Sequence, residues 1–175
     1  MNTILSQIGK LGPLILAFTS TYFLWGKTYI LSFYWIGIVF NILFNFIVKG
    51  ILKQSRPNID KKVFNLAQKN HRRFIKYDGQ YMDIYGMPSG HSQQVFFSLL
   101  HYFFFINNSI WVTIFYIFIA FLTAIERVID NYHTINQVLV GSIIGLIVAY
   151  LIHYAITEHL KGKLTPKDDD NSLVK

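Results

Sequence analysis

Two histidines and three cations carry the chemistry this sequence could do. His91 ends the tetrapeptide Pro88-Ser89-Gly90-His91, His133 follows Arg127 in an R-x5-H spacing, and Lys49 precedes Arg56-Pro57 as K-x6-R-P. An imidazole can attack phosphorus or move a proton near neutral pH. Lysine and arginine gather phosphoryl oxygens. Ser89 can cap a helix beginning at Gly90, whose amide belongs to the free N–H groups that make a helix start an anion site. The 175 residues contain no cysteine, which excludes thiol nucleophiles, thiolate metal sites and disulfides.

Each group also has a plainer explanation. Lys and Arg are common at membrane boundaries, which alone accounts for Lys49 and Arg56. A simple cap and an interfacial histidine explain Ser89 and His91 separately, but not the whole tetrapeptide. Thr134-Ile135-Asn136-Gln137 reads as a capping box, so Gln137 either bonds the helix start or accepts from the His133 ring. A continuous helix from Lys49 to Arg56 would make almost two turns and aim both cations one way, about 10 Å apart along the axis, with Pro57 stopping it. Asp130 is a further candidate partner of His133, recommended only by nearness in sequence.

These residues need elements to hold them. The chain is 53% hydrophobic and 14% charged, against about a quarter charged in soluble domains, and its mean hydropathy is +0.36. Although the net charge is +7, nine of the sixteen basic residues lie between Lys49 and Lys76, while 92–125 contain no Asp, Glu, Lys or Arg. That distribution argues against nucleic acid, whose binders present a basic stripe on a soluble fold. Apolar runs at 11–25 (extended by 3–10), 28–48, 90–106, 109–125 and 134–157 approach the roughly 20 helical residues that cross a bilayer.

The expectation is an all-α integral membrane protein, a bundle of about five transmembrane helices, with 90–106 and 109–125 hinged at Asn107-Asn108. The first run lacks the basic n-region and cleavage site of a signal peptide and reads as a retained helix. One domain is expected over 1–160, followed by a disordered polar tail over 161–175 in which Asp168-Asp169-Asp170 is solvated.

Within the 50–88 loop, Asp60 can cap a helix placing Val63, Phe64, Ala67 and Phe74 on one side. Lys61, Lys62, Lys69, Arg72, Arg73 and Lys76 fall largely on the other. Such an interfacial helix lies in the headgroup layer, or it packs as a solvated basic helix on the rest of the loop. Asp78-Gly79 then turns the chain. His101, His153 and His159 read as packing or interfacial residues, and the Tyr102–Phe105 run as packing and lipid-facing surface. Gly141 and Gly145 form a G-x-x-x-G for close helix contact, within the bundle or in a homodimer.

Successive spans alternate sides, so the end of the second, the start of the third and the connection from fourth to fifth meet at one face. The ordered set K-x6-R-P, PSGH and R-x5-H there resembles the type 2 phosphatidic acid phosphatase superfamily. It is more similar to the dolichyl diphosphate phosphatases, whose PS-x-HSQ and YHT-x-x-QV segments are matched by Pro88–Gln93 and Tyr132–Val138. The superfamily's third motif usually reads S-R-x5-H-x3-D; Glu126 stands here at the Ser position and Gln137 at the Asp position. Glutamine is the subgroup's residue there. It is also found in glucose-6-phosphatases, which lack the YHT context and are longer.

The resemblance implies a phosphohydrolase that needs no metal or cofactor and acts on a polyprenyl diphosphate through a phosphohistidine. In that scheme His133 is the nucleophile and His91 the acid and base. Lys49, Arg56, Arg127, Ser89 and Gly90 hold the phosphate, and Gln137 orients His133. The enzymatic alternatives are phosphatidate, lysophospholipid or sphingoid phosphates. A non-catalytic binder of anionic lipid is the rival of another class; Glu126 beside Arg127 supports it, and the two histidines speak against it. Positive-inside counting puts the active face in the cytosol, whereas the resemblance implies the lumen of the endoplasmic reticulum.

Overall fold

The computed structural model describes residues 3–77 and 79–159. Six helices run in the order α1 (Thr3–Phe23), α2 (Thr28–Leu52), α3 (Lys61–Lys69), α4 (Gly90–Phe105), α5 (Ile110–Ile129) and α6 (Ile135–Tyr154), the last continued by one π-helical turn at Ala155–His159. A two-stranded hairpin, β1 (Phe74–Tyr77) and β2 (Gln80–Asp83), lies between α3 and α4.

Among the described residues, three segments are long and apolar enough to cross a membrane: Thr28–Leu52, Ile110–Ile129 and Ile135–Glu158. The other two expected spans also form helices, but of different make. α4 has 16 residues, about 24 Å at 1.5 Å per residue, short of a hydrocarbon core of about 30 Å. α1 contains Lys10 and an internal Pro13.

α4 is the centre of the bundle and packs against α1, α2, α5 and α6. On one side Tyr34 and Ile38 of α2 meet Phe97 and Phe105 of α4 and Val148 and Ala149 of α6. On the other, Leu16 of α1 meets Val95, Leu99 and Tyr102 of α4 and Tyr116 and Ile119 of α5. Two pairs of buried hydroxyls join the helices: Tyr34 with Ser98 at 2.8 Å and Ser20 with Tyr116 at 2.9 Å. Phe40, Leu43 and Ile47 of α2, Phe118, Phe121 and Ile125 of α5, and Ile143 and Ile147 of α6 stay exposed. An apolar belt of that extent suits contact with lipid.

Gly141 and Gly145 face α4. A Cβ on Gly141 would strike the backbone of Ser89, and one on Gly145 the backbone of Gln93. The G-x-x-x-G is therefore used inside the bundle and supplies no surface for a second copy. His101 packs among Tyr34, Phe97 and Phe105, and His153 stacks on Phe104 at 4.0 Å between ring centres. Asn107, with φ +26°, makes the expected turn between α4 and α5.

The 50–88 loop corrects three expectations. First, α2 ends at Leu52, where Lys53 enters the left-handed region at φ +47°. Arg56 is therefore not on the helix that carries Lys49. Second, the helix capped by Asp60, which accepts from the amides of Lys62 and Val63, stops at Lys69, and Phe74 opens β1. Asn70 and His71, the latter at φ +53°, break the helix, and Arg73 pairs with Asp83 across the hairpin. Third, Ala67, Val63 and Phe64 are spent against Ile59, Ile84, Tyr85 and Ile75. The helix is a basic one packed on its own loop, with Leu66 left exposed. Gly79, φ +75°, occupies the hairpin turn where the left-handed region favours glycine. The polar tail over 161–175 lies outside the described residues.

Candidate active site

The turn before α6 is built by its cap. The Thr134 hydroxyl accepts from the Gln137 amide at 3.3 Å, and Gln137 Oε1 accepts from the Thr134 amide at 3.3 Å, closing the capping box. The same Oε1 lies 3.1 Å from Nδ1 of His133. The two roles left open for Gln137 are thus filled by one oxygen.

The amide orientation of Gln137 is forced from its other end. Nε2 donates to the carbonyl of Ser55 at 2.9 Å and to Gln54 Oε1 at 3.0 Å. A main-chain carbonyl can only accept, so Oε1 must face His133, and Nδ1 must carry the proton. Gly86 makes room: a Cβ there would sit 2.5 to 2.8 Å from the Gln137 amide.

Nε2 of His133 is then the bare nitrogen. It accepts from Nη1 of Arg56 at 3.1 Å, and Arg56 also donates to the carbonyls of Tyr132 at 3.3 Å and Asp83 at 2.7 Å. Burial above all, reinforced by Arg56 and Lys49, pushes the imidazole down to about 2 from the usual 6.5. The bond to Gln137 acts in the opposite sense and is outweighed. His133 is a neutral base with its lone pair aimed at a guanidinium.

Lys49 and Arg56, although not on one helix, meet at Asp83. Lys49 Nζ lies 3.9 Å from Asp83 Oδ2 and donates to the carbonyl of Tyr85 at 3.1 Å. Arg73 holds both Asp83 oxygens, and Oδ1 accepts from the Tyr85 amide at 3.0 Å. Asp83 was not visible as a site residue in the sequence, because its partners are 27 and 34 positions upstream and a main-chain amide leaves no sequence signature.

Ser89 caps α4 as expected, accepting from the Ser92 amide at 3.4 Å and the Ser92 hydroxyl at 3.0 Å. Both contacts use lone pairs, so the Ser89 proton remains free to donate. Its amide donates to the carbonyl of Gln137 at 2.9 Å, joining the start of α4 to the start of α6. Asn45 of α2 donates to the Pro88 carbonyl at 3.2 Å and to Gln93 Oε1 at 2.8 Å, fixing the same turn from the other side. Gly90 opens α4 beside the Asn45 side chain.

His91, partly buried on the first turn of α4, is hydrogen-bonded to the main chain of Lys10 in α1 and interacts electrostatically with Arg127, Arg56 and Lys49. The same three cations act on His133. Arg127 sits with its Cζ 4.5 Å from the centre of the Tyr132 ring, and its Nε and Nη2 donate to the carboxylate of Glu126. Its carbonyl accepts from the His133 amide at 2.9 Å. Asp130 points elsewhere, accepting from Ser6 at 2.6 Å. Lys49, Arg56 and Arg127 thus act electrostatically on both imidazoles, and one of these, His133, presents a bare ring nitrogen to Arg56.

A family model described as "PAP2 superfamily" matches residues 15–161. The chain is 29% identical over 135 residues to "Dolichyldiphosphatase 1" of Dictyostelium discoideum, an alignment covering 71% of this chain and 51% of that protein. The chain thus spans about half the length of the curated relative it matches. No solved structure matches the chain.

Proposed function

The chain belongs to the PAP2 superfamily, and from that premise we propose that it is a membrane phosphatase hydrolysing a polyprenyl diphosphate through a phosphohistidine. The observation that carries the mechanism is the fixed tautomer of His133: Gln137 holds the proton on Nδ1, and Nε2 presents its lone pair to Arg56.

In the first step Nε2 of His133 forms a bond to the terminal phosphorus while the bridging P–O bond breaks. His91, one ring nitrogen tied to the Lys10 main chain, gives a proton to the departing lipid phosphate from the other. In the second, His91 takes a proton from water, whose oxygen attacks the phosphorus; the P–N bond breaks, and inorganic phosphate leaves. Splitting one displacement into two lowers each barrier. Lys49, Arg56, Arg127, the Ser89 hydroxyl and the Gly90 amide stabilise the charge on the equatorial oxygens. An incoming phosphate draws Arg56 off Nε2 and so exposes the nucleophile it also binds.

The polyprenyl tail stays in the bilayer between helices, for which the reading takes α1 and α4 as spans beside the three longer ones. The matched relative's name supports a diphosphate-bearing dolichyl lipid over a glycerolipid. The reading places the protein in the endoplasmic-reticulum membrane with a lumenal active face, as the dolichyl diphosphate phosphatase resemblance implies. The test is phosphate release by purified protein from dolichyl diphosphate, undecaprenyl diphosphate and phosphatidate, with and without chelator. Preference for phosphatidate overturns the substrate, and loss of activity in chelator overturns the reliance on protein cations.

A further inference from the structure

Glu126 is the least expected residue of the site. It is 1% exposed, stands beside Arg127 at 4% exposed, and gives both carboxylate oxygens to the Nε and Nη2 edge of that guanidinium. A guanidinium has five N–H donors in a rigid plane. Two are taken here, the face is covered by Tyr132, and the remaining three find no protein acceptor among the described residues.

The stem of Glu126 is closely packed, and the Asp130 side chain stands beside its carboxylate. α1 packs on its stem at Gly9, where a Cβ would come within 2.7 Å of Glu126 Cβ. The Asp130 amide donates to the Glu126 carbonyl at 3.0 Å, and Asp130 is tied to Ser6 of the same helix. Glu126 thus carries the guanidinium edge from a stem packed between α5 and α1 at Gly9.

We propose that Glu126 is a positioning residue for phosphoryl transfer: by gripping the Nε–Nη2 edge of Arg127 it aims the three remaining N–H groups at the equatorial oxygens of the reacting phosphoryl group. The proposal rests on the phosphatase reading above. A hydroxyl at this position, as in the resemblance's S-R pattern, offers a single oxygen and could not meet both N–H groups of the edge in parallel. A carboxylate engaging two N–H groups fixes both distance and rotation. Fixing the donors in advance favours the transition state over ground-state binding, so the effect belongs to kcat rather than KM.

The experiment is a double-mutant cycle on purified protein with dolichyl diphosphate, using Glu126→Gln, Glu126→Ala and Arg127→Ala, with orthovanadate affinity measured on each variant. Glu126→Gln, which keeps one acceptor oxygen, is expected to lose about tenfold in kcat, and Glu126→Ala about a hundredfold, with KM nearly unchanged. Vanadate binding weakens in parallel. In the Arg127→Ala background neither substitution at 126 has a further effect.

A rise in kcat/KM or vanadate affinity on removing Glu126 overturns the proposal, since it makes the carboxylate a competitor for Arg127. Full additivity with Arg127→Ala also overturns it. Should Glu126→Ala fail to fold, the isosteric Glu126→Gln decides the matter by the same split. Wild-type protein that neither binds vanadate nor releases phosphate overturns the phosphatase reading and this inference together; an active wild type with additive variants overturns this inference alone.

Discussion

Arg56 and His133, 77 residues apart, meet through Nη1 and Nε2 at 3.1 Å. A guanidinium can only donate, so this contact identifies the unprotonated nitrogen of the ring. In the proposed mechanism the nucleophile is thus covered by one of the cations assigned to bind its target.

His133→Ala is therefore expected to abolish turnover, by at least about a thousandfold, while binding of the lipid diphosphate is largely kept. Transfer of radiolabel from terminally labelled substrate to the protein, stable to base and labile to acid, should be seen with wild type and lost in the variant. Label retained by His133→Ala, or turnover within tenfold of wild type, rejects the phosphohistidine.

Gly86→Ala tests the partner of Nδ1. Its Cβ would stand 2.5 to 2.8 Å from the Gln137 amide, which must move away from Ser55 and His133. Turnover is expected to fall about 10- to 100-fold with the helices intact by circular dichroism. Gln137→Leu should show a similar loss, and the two changes together no more than either alone. Independent, multiplying losses would mean that Gly86 acts elsewhere.

Acid should weaken the fold through His133. Its folded value, about 2, lies below the usual 6.5, so between these values the unfolded chain binds a proton that the folded chain refuses. Stability is fully present above pH 6.5 and falls as pH drops towards 2, by at most about 1.4 kcal/mol per unit from this group. Thermal midpoints measured from pH 7 to pH 4 should fall more steeply for wild type than for His133→Gln. Equal slopes would mean that the imidazole is solvated.

Asp130→Asn should leave turnover within about threefold, because Asp130 bonds Ser6 at 2.6 Å rather than the His133 ring. A loss of a hundredfold would put Asp130 back into the mechanism.

Asp83→Asn removes the carboxylate that organises Lys49, Arg73 and the Tyr85 amide. Destabilisation of roughly 2 kcal/mol is expected, since several buried donors lose a charged acceptor. The KM for lipid diphosphate should rise several-fold as Lys49 loses its place. A variant with unchanged melting and unchanged KM would show that the hairpin orders the cations without this carboxylate.

What the sequence discloses here is mostly what is local. Asp60, Ser89 and Thr134 cap the helices they precede because a short polar side chain can reach amides two or three residues on. The long apolar runs become helices within a few residues of their expected limits. The hairpin Phe74–Asp83 is harder to see, as four-residue strands give a periodicity too short to outweigh a neighbouring amphipathic helix. The end of α2 at Leu52 depends on one residue adopting a left-handed conformation, which lysine does not advertise. Least legible are Ser55, Tyr85 and Lys10, which contribute main-chain groups to the site whatever their side chains are.

His91 lies on the first turn of α4 and His133 in the turn just before α6, and the backbones of these two helices touch. α6 lies against the Ser89 and Gln93 main chain at Gly141 and Gly145, and the Ser89 amide is bonded to the Gln137 carbonyl at 2.9 Å. With no side chains between them to act as cushions, these two carriers behave like the fixed jaws of a gauge, whose gap is cut when the protein folds. On the proposed function, a lipid headgroup arriving from the bilayer would be measured against that gap rather than have to close it.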